Sequence, residues 1–277
     1  MLNVLKIREK LRNFYIEDNH YGDLASGIFD SDAVGTATLI AKSDGIFCGG
    51  LIIEEGFRLT GQKMTVELLT ADGTEIRKGD EIARIRGNVR AILTSERIVL
   101  NLVQRMSGIA TMTKRLNDIT AGTEAVVIDT RKTTPGLGMF EKYAVTAGGG
   151  KNHRRTLNDG IMLKDNHISF MGSMTRAVER SREIQGPMDR IEVEIEDTRM
   201  LEEAIRNEVD IIMFDNCSPE WIKAHIGKVP DTISTEASGG ITEDGLRAYA
   251  ESGVDYISVG ALFHQQQALD ISLKVVY

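Results

Sequence analysis

Three stretches of this chain set cations close together. They are Asp129-Thr130-Arg131-Lys132-Thr133-Thr134-Pro135-Gly136, Gly148-Gly149-Gly150-Lys151-Asn152-His153-Arg154-Arg155 and Lys164-Asp165-Asn166-His167. The protein is otherwise acidic: Asp and Glu outnumber Lys and Arg by 41 to 33 over 277 residues, a formal net charge of −8. Like charges within a few ångströms disfavour one another's charged state, so a gathering of cations calls for an anion among them. Guanidinium forks suit carboxylates and phosphates. A salt-bridge network joining Arg131 and Lys132 to Asp129 and Asp165 explains any one of these residues equally well, but the whole set less well.

Two further groups extend the chemistry. Glu192, Glu194 and Glu196 alternate with Ile191, Val193 and Ile195, so on a strand the three carboxylates share one face. With Asp215 they form a set able to coordinate Mg²⁺ or bond sugar hydroxyls; solvated strand ends are the plainer alternative. Ser238-Gly239-Gly240-Ile241-Thr242 and Ser258-Val259-Gly260-Ala261 are small and glycine-rich, and backbone N–H groups in such a turn suit phosphate. The combined ligand is a phosphate, a polyol or metal, and a group bearing several negative charges.

The elements that would position these residues fall into two regions. The first third reads as β-rich. A helix is expected over Leu5–Tyr15, strands over Val34–Ala41, Gly45–Ile53, Met64–Leu69 and Glu81–Ile85, and a turn at Ala71-Asp72-Gly73. The stretch from Asp72 to Asp80 is superficially like the hairpin of a biotinyl or lipoyl carrier, but no lysine stands at an exposed tip. A helix is expected from Thr94-Ser95-Glu96, with Val99, Leu102, Val103, Met106, Ile109 and Ala110 on its apolar face. Arg97 would then sit in the first turn, against the helix dipole. From Ala125 on, six apolar runs end in polar residues. They are Ala125–Ile128, Ile161–Leu163, Ile191–Ile195, Ile211–Phe214, Thr232–Thr235 and Tyr256–Val259, with helices such as Met200–Asn207 and Glu243–Ser252 between the later ones. Such alternation predicts parallel strands with crossover helices, and a barrel or partial barrel puts functional groups at the C-terminal strand ends. A doubly wound sheet is the alternative, without a Gly-x-Gly-x-x-Gly to support it.

Composition narrows the classes. The chain is 42% hydrophobic and 27% charged, ordinary for a folded protein. The acidic balance argues against a nucleic-acid or anionic membrane partner. No run reaches the roughly 20 apolar residues of a spanning helix, and Met1–Lys10 lacks the apolar core of a secretion signal. Cys48 and Cys217 match no metal or redox spacing, so a reducing cytoplasm is expected. Walker-type and Gly-x-Ser-x-Gly motifs are missing, and His153 and His167 lack zinc-ligand spacing.

In order along the chain, these segments resemble the quinolinate phosphoribosyltransferase family over nearly the whole length. The resemblance is carried by Ser95-Glu96-Arg97, Leu100-Asn101, Ser107–Thr111, Asp129–Gly136, Glu141-Lys142-Tyr143-Ala144-Val145, Gly148–Arg154, Lys164–Ile168, Glu192-Val193-Glu194, Asp215-Asn216, Ser238–Ile241 and Ser258–Leu262. It implies an α/β fold: an N-terminal α/β sandwich of residues 1–107, joined by 266–277, and a partial (β/α) barrel of residues 108–265. It further implies conversion of quinolinate and phosphoribosyl pyrophosphate to nicotinate mononucleotide, pyrophosphate and CO2. The assembly would be a homodimer sharing its active sites, with Mg²⁺ and no organic cofactor. Matched motif by motif, Arg131, His153, Arg154 and Lys164 would hold quinolinate, with Arg97 reaching in from the partner subunit and Thr133 among the substrate-binding residues. Lys132, Glu194 and Asp215 would be catalytic and bind phosphoribosyl pyrophosphate, the two carboxylates also holding the metal. Ser238, Gly239, Gly240, Gly260 and His264 would take the 5-phosphate. Arg155-Thr156 and Gly138-Met139-Phe140 depart from the commonest family pattern, away from these positions. A paralogue acting on another acceptor and a non-catalytic anion-binding protein are the competing readings; the intact His153-Arg154 and Lys164–His167 disfavour the first, and retention of both charge sets disfavours the second.

Overall fold

The computed structural model describes residues 2–61 and 63–276. Met1, Gln62 and Tyr277, all within the expected sandwich domain and its C-terminal addition, lie outside the described residues. In chain order the elements are α1 (Val4–Asp18), β1 (Val34–Ala41), β2 (Gly45–Ile46), α2 (Gly50–Phe57), β3 (Met64–Leu68), β4 (Glu75–Ile76), β5 (Glu81–Asn88) and α3 (Val89–Thr120). They continue with β6 (Val126–Ile128), α4 (Gly138–Ala147), β7 (Ile161–Leu163), α5 (Asp165–Met171), α6 (Met174–Ile184), β8 (Ile191–Ile195), α7 (Thr198–Arg206) and β9 (Ile211–Asp215). The last are α8 (Pro219–His225), β10 (Ser234–Ser238), α9 (Leu246–Ala250), β11 (Tyr256–Ser258), α10 (Ala261–His264) and β12 (Ile271–Val276). The chain divides into two compact units, one of residues 1–114, 139–149 and 265–277, the other of residues 115–138 and 150–264.

The first unit is built on an antiparallel sheet ordered β12-β1-β5-β3. Its core includes Ile7 and Leu11 of α1, Leu39 of β1, and Ile82 and Ile85 of β5, all fully buried. The run expected as one strand over Gly45–Ile53 is instead a two-residue strand followed by α2. The chain turns at Gly49, whose φ of +134° excludes a regular strand. Asp72 then accepts the Gly49 and Gly50 N–H groups at 2.8 and 2.9 Å, supplying from the Ala71–Gly73 turn the cap that α2 lacks locally. A short apolar run has no period that separates helix from strand, and here the cap decides.

The helix expected from Thr94 starts five residues earlier. Asn88 Oδ1 accepts the Ala91 N–H at 3.1 Å, starting the helix directly after β5, while the Thr94 hydroxyl bonds back to the Arg90 carbonyl at 2.8 Å inside it. Arg97 is therefore well inside α3, not in a first turn opposing the dipole. The segment Glu141–Val145 is structural. Glu141, fully buried, receives the Arg105 guanidinium at 2.6 Å, and Tyr143 donates to Asp72 at 2.7 Å.

The second unit carries six parallel strands ordered β6-β11-β10-β9-β8-β7. Edges β6 and β7 remain unpaired with each other, so the barrel is partial; the segment after α4 touches β6 through a bridge between Ile128 and Lys151. Crossover helices begin on side-chain caps: Ser173 to Arg176 N–H for α6, Asp197 to Met200 N–H for α7, and Ser218 to Trp221 N–H for α8. Helix α7 starts two residues before the expected Met200 and β9 runs on through Asp215, but β10 and α9 differ most from expectation. Strand β10 lies two to three residues later than Thr232–Thr235, so Glu236 is inside the strand and not beyond its end. Helix α9 covers five residues, Leu246–Ala250, because residues 243–245 form a turn. Among the described residues no helix is long and apolar enough to cross a membrane.

Candidate active site

Strand register sets the inner face of the partial barrel. Pairing aligns Glu194 with Met213 and Met213 with Glu236, and one layer up aligns Asp215 with Ser238. Alternate residues point the same way, so Glu192 and Glu194, Met213 and Asp215, and Glu236 and Ser238 project inward in rows. Above them opens a cavity of about 500 Å³, lined by Asp129, Thr130, Arg131, Lys132, His153, Arg154, Met162, Lys164, Asp165, Glu194, Met213, Asp215, Asn216, Glu236, Ser238, Gly239, Gly240 and Ser258. Residues from three separate cation-rich stretches, two carboxylate strand ends and the Ser238–Gly240 turn thus share one space.

The salt-bridge alternative fails for Arg131 and Lys132. Asp129, fully buried at the end of β6, accepts the Asn152 side-chain amide at 2.7 Å and the His153 backbone N–H at 3.0 Å. Among the described residues neither Arg131 nor Lys132 makes a salt bridge with a carboxylate. Burial first, and then the neighbouring Arg131 charge, lower the Arg154 pKa, the signature of cations crowded in a partly dry space. Lys164 bonds Glu194. Burial raises the Glu194 pKa, Lys164 opposes that rise, and Asp215 and Glu192 add to it. Asp215 accepts the Asn216 side-chain amide at 2.8 Å.

The glycine turn is built for close approach. Gly239 and Gly240 have φ of +91° and +61°, and a Cβ on Gly239 would stand 2.3 Å from Asn216 Oδ1 and 2.6 Å from its backbone nitrogen. Gly260 sits beside the same region: a Cβ there would be 3.0 Å from Lys132 Cδ and 3.4 Å from both Lys132 Nζ and His264 Nε2. The expected residues Arg131, Lys132, His153, Arg154, Lys164, Glu194, Asp215, Ser238, Gly239 and Gly240 all line the cavity. Gly260 and His264 approach it through Lys132, and Thr133 stands next to Lys132, packed against Gly138. Arg97 lies in the other compact unit, its side chain 64% exposed and 3.7 Å from Glu96. His167 is spent on structure, its Nδ1 accepting the Lys164 N–H at 3.1 Å to open α5.

Burial changes the reading of three residues: Glu192, expected among the metal- or sugar-binding carboxylates, Asp129, expected only as a salt-bridge partner, and Glu236, expected beyond a strand end. His153 turns its Nε2 inward to Glu192 Oε2 at 2.9 Å and Glu236 Oε2 at 3.4 Å. Burial, and then the negative charge of Glu192, hold the Glu236 carboxyl well above the usual carboxylate range. The signal for Glu236 was its spacing of two from Ser238, legible only with the strand placed correctly.

Two family models match the chain in succession. Residues 23–107 match the quinolinate phosphoribosyl transferase N-terminal domain and residues 109–274 the C-terminal domain. The chain is 47% identical over 274 residues, 99% of its length and 95% of the relative's, to a probable nicotinate-nucleotide pyrophosphorylase (carboxylating) of Bacillus subtilis. A solved NadC deletion mutant superposes with a TM-score of 0.96 at 38% identity, covering 100% of this chain and 99% of the other. NadC from Streptococcus pyogenes gives 0.93 at 37% identity, with coverage of 100% and 99%. The chain belongs to the quinolinate phosphoribosyl transferase family.

Proposed function

We propose that the cavity at the strand ends is where this chain carries out the reaction of its family, with the residue roles given below. The activity is that of a decarboxylating pentosyltransferase of NAD biosynthesis: quinolinate and phosphoribosyl pyrophosphate become nicotinate mononucleotide, pyrophosphate and CO2. One observation carries the assignment of roles. Arg131, Arg154 and Lys164 share the cavity with Glu194, Asp215 and the Gly239–Gly240 turn, so a dicarboxylate and a sugar phosphate find complementary charge within about 500 Å³.

Arg131, Arg154 and Lys164 bind the quinolinate carboxylates, with Thr133 and His153 beside them. Ser238, Gly239, Gly240 and Gly260, with His264, hold the 5-phosphate, chiefly through the backbone N–H groups of the tight glycine turn. Lys132 stands between these subsites and meets the pyrophosphate. Glu194 and Asp215 face the ribose, where negative charge stabilises the cationic C1 that develops as pyrophosphate leaves. The pyridine nitrogen, held in line by its two clamped carboxylates, attacks that carbon. The quaternised ring then accepts the electron pair of the C2–carboxylate bond, CO2 departs, and C2 takes a proton.

Mg²⁺ fits this set. Glu194 and Asp215 are hard oxygen donors close enough that Asp215 raises the Glu194 pKa, and Mg²⁺ habitually combines one or two carboxylates with substrate phosphate oxygens. When bound it would neutralise charge on the departing pyrophosphate. No organic cofactor is invoked. The working form is a homodimer in which Arg97 of one protomer completes the site of the other. The long exposed Arg97 side chain and the exposed Tyr21, Leu24 and Ile28 in the same unit support that reading. The cytoplasm suits two buried free thiols, Cys48 and Cys217.

The test is product formation from quinolinate and phosphoribosyl pyrophosphate with Mg²⁺, with nicotinate as a parallel acceptor. Turnover should require both ring carboxylates, and Arg131→Ala should lose most of it. A wild-type protein inert on quinolinate overturns the reading.

A further inference from the structure

We propose that Glu192 and Glu236 are positioning residues that act through His153 on Arg154, so that His153 serves the substrate site chiefly from behind. This rests on the reading of the cavity as a dicarboxylate site and deepens it. The chain of contacts is continuous. Glu192 on β8 and Glu236 on β10 are 4% and 1% exposed, and both face His153 Nε2. The other ring nitrogen, Nδ1, accepts the backbone N–H of Arg154 at 2.7 Å. Nδ1 therefore carries no proton, Nε2 carries it, and the ring donates inward to the two carboxylates. Both nitrogens are committed to the protein, and neither offers a donor to the cavity.

The consequence falls on Arg154. Its backbone is tied to the imidazole, its guanidinium lines the cavity and reaches the Gly160 carbonyl at 3.3 Å, and the preceding residue is pinned by Asp129. The two strands thereby hold the backbone from which the Arg154 fork projects. An error of an ångström in a substrate-holding group can cost two orders of magnitude in rate.

A divalent metal held by His153, Glu192 and Glu236 is the competing use of the cluster, whose three ligand atoms lie within 4.8 Å of one another. A metal-bound imidazole donates its second N–H to an acceptor, whereas here the second nitrogen meets a donor. Metal at Nε2 would leave the ring as an imidazolate, and the backbone N–H argues for the hydrogen-bonded cluster.

Two measurements decide. In wild-type protein labelled with ¹⁵N-histidine, His153 should show the Nε2–H tautomer, unchanged by added Zn²⁺ or Mn²⁺; an Nδ1–H tautomer, or a metal-shifted resonance, overturns the proposal. In steady-state kinetics, Glu236→Met, which keeps the volume but cannot accept a hydrogen bond, should raise the quinolinate KM about ten- to hundredfold. The KM for phosphoribosyl pyrophosphate should stay within about twofold, and Glu236→Gln, still an acceptor, should recover most of the loss. In a His153→Ala background Glu236→Met should add nothing. Equal rises in both KM values, or effects that multiply in the double variant, overturn it. A wild type inert on quinolinate would instead sink the functional reading, leaving the tautomer result to stand by itself.

Discussion

Replacing Gly239 by Ala tests whether the Ser238–Gly240 turn is the phosphate seat, and Gly240 is its internal control. Both residues have positive φ, +91° and +61°, where an L side chain costs about 1–2 kcal/mol. At Gly240 that is the whole expected cost, because nothing lies within 4 Å of the added Cβ. At Gly239 the Cβ falls 2.3 Å from Asn216 Oδ1 and 2.6 Å from the Asn216 nitrogen. The amide can rotate away; the backbone cannot, and the Asn216 N–H already donates to the Ser238 carbonyl at 3.0 Å. Relieving the clash stretches that bond, a further loss of about 1 kcal/mol, for a total of roughly 2–3 kcal/mol. Even half of this, felt in the bound state, is about tenfold in affinity. Gly239→Ala should therefore raise the KM for phosphoribosyl pyrophosphate about tenfold or more, Gly240→Ala only a few-fold, and both should leave the quinolinate KM within about twofold. Steady-state kinetics with each substrate varied in turn, beside thermal unfolding, provide the readout. A Gly239→Ala enzyme with wild-type KM, or a Gly240→Ala enzyme more damaged than it, refutes the reasoning.

Three other outcomes are expected. Lys164→Met should cut kcat/KM for quinolinate by about ten- to hundredfold, the worth of a charge-assisted contact; it also removes the cation that opposes the raised Glu194 pKa, so the acid limb of the pH–rate profile should move to higher pH, and a move to lower pH would contradict the assignment. If Arg97 acts across the dimer, mixing Arg97→Ala with Lys164→Met protein, each impaired alone, should raise activity to about a quarter of wild type under subsaturating quinolinate, since half of randomly formed dimers are mixed and each has one intact site; no recovery after subunit exchange argues against a shared site. Asp72→Ala strips the cap from Gly49 and Gly50 and the partner from Tyr143, so urea denaturation should show a loss of about 2–4 kcal/mol with kcat little changed; a loss below about 0.5 kcal/mol would show that water replaces those bonds.

Much of the site was legible in the sequence because its parts are local. Arg131 and Lys132 follow one strand, Lys164 follows the next, and Asp215 closes a third, so reading where apolar runs stop was enough to find the residues now gathered in one cavity. Strands β7 and β8 appeared with their observed bounds because Ile161–Leu163 and Ile191–Ile195 are flanked by polar residues. Where apolar runs lacked such marks, reading failed. Gly45–Ile53 seemed a strand because its cap, Asp72, is more than twenty residues away, and α3 seemed to start at Thr94 because its true start follows β5 without a break.

What the sequence determined by itself was chemistry and order: an α/β chain whose strand ends carry, in turn, cations, carboxylates and glycines. Those properties belong to residue type and spacing, which no packing alters. What only the tertiary structure decided was which of these groups are neighbours and which are buried. Glu236 reads as one more acidic residue beyond a strand end; inside β10 it is 1% exposed and faces His153. His153 reads as a substrate ligand by its position alone; the structure places it in the cavity lining with its Nε2 beside Glu192 and Glu236, which the parallel register of β8, β9 and β10 brings to it. Protonation and hydrogen bonding depend on desolvation and on partners 39 and 83 residues away in the chain, and only the packing of the strands side by side creates both.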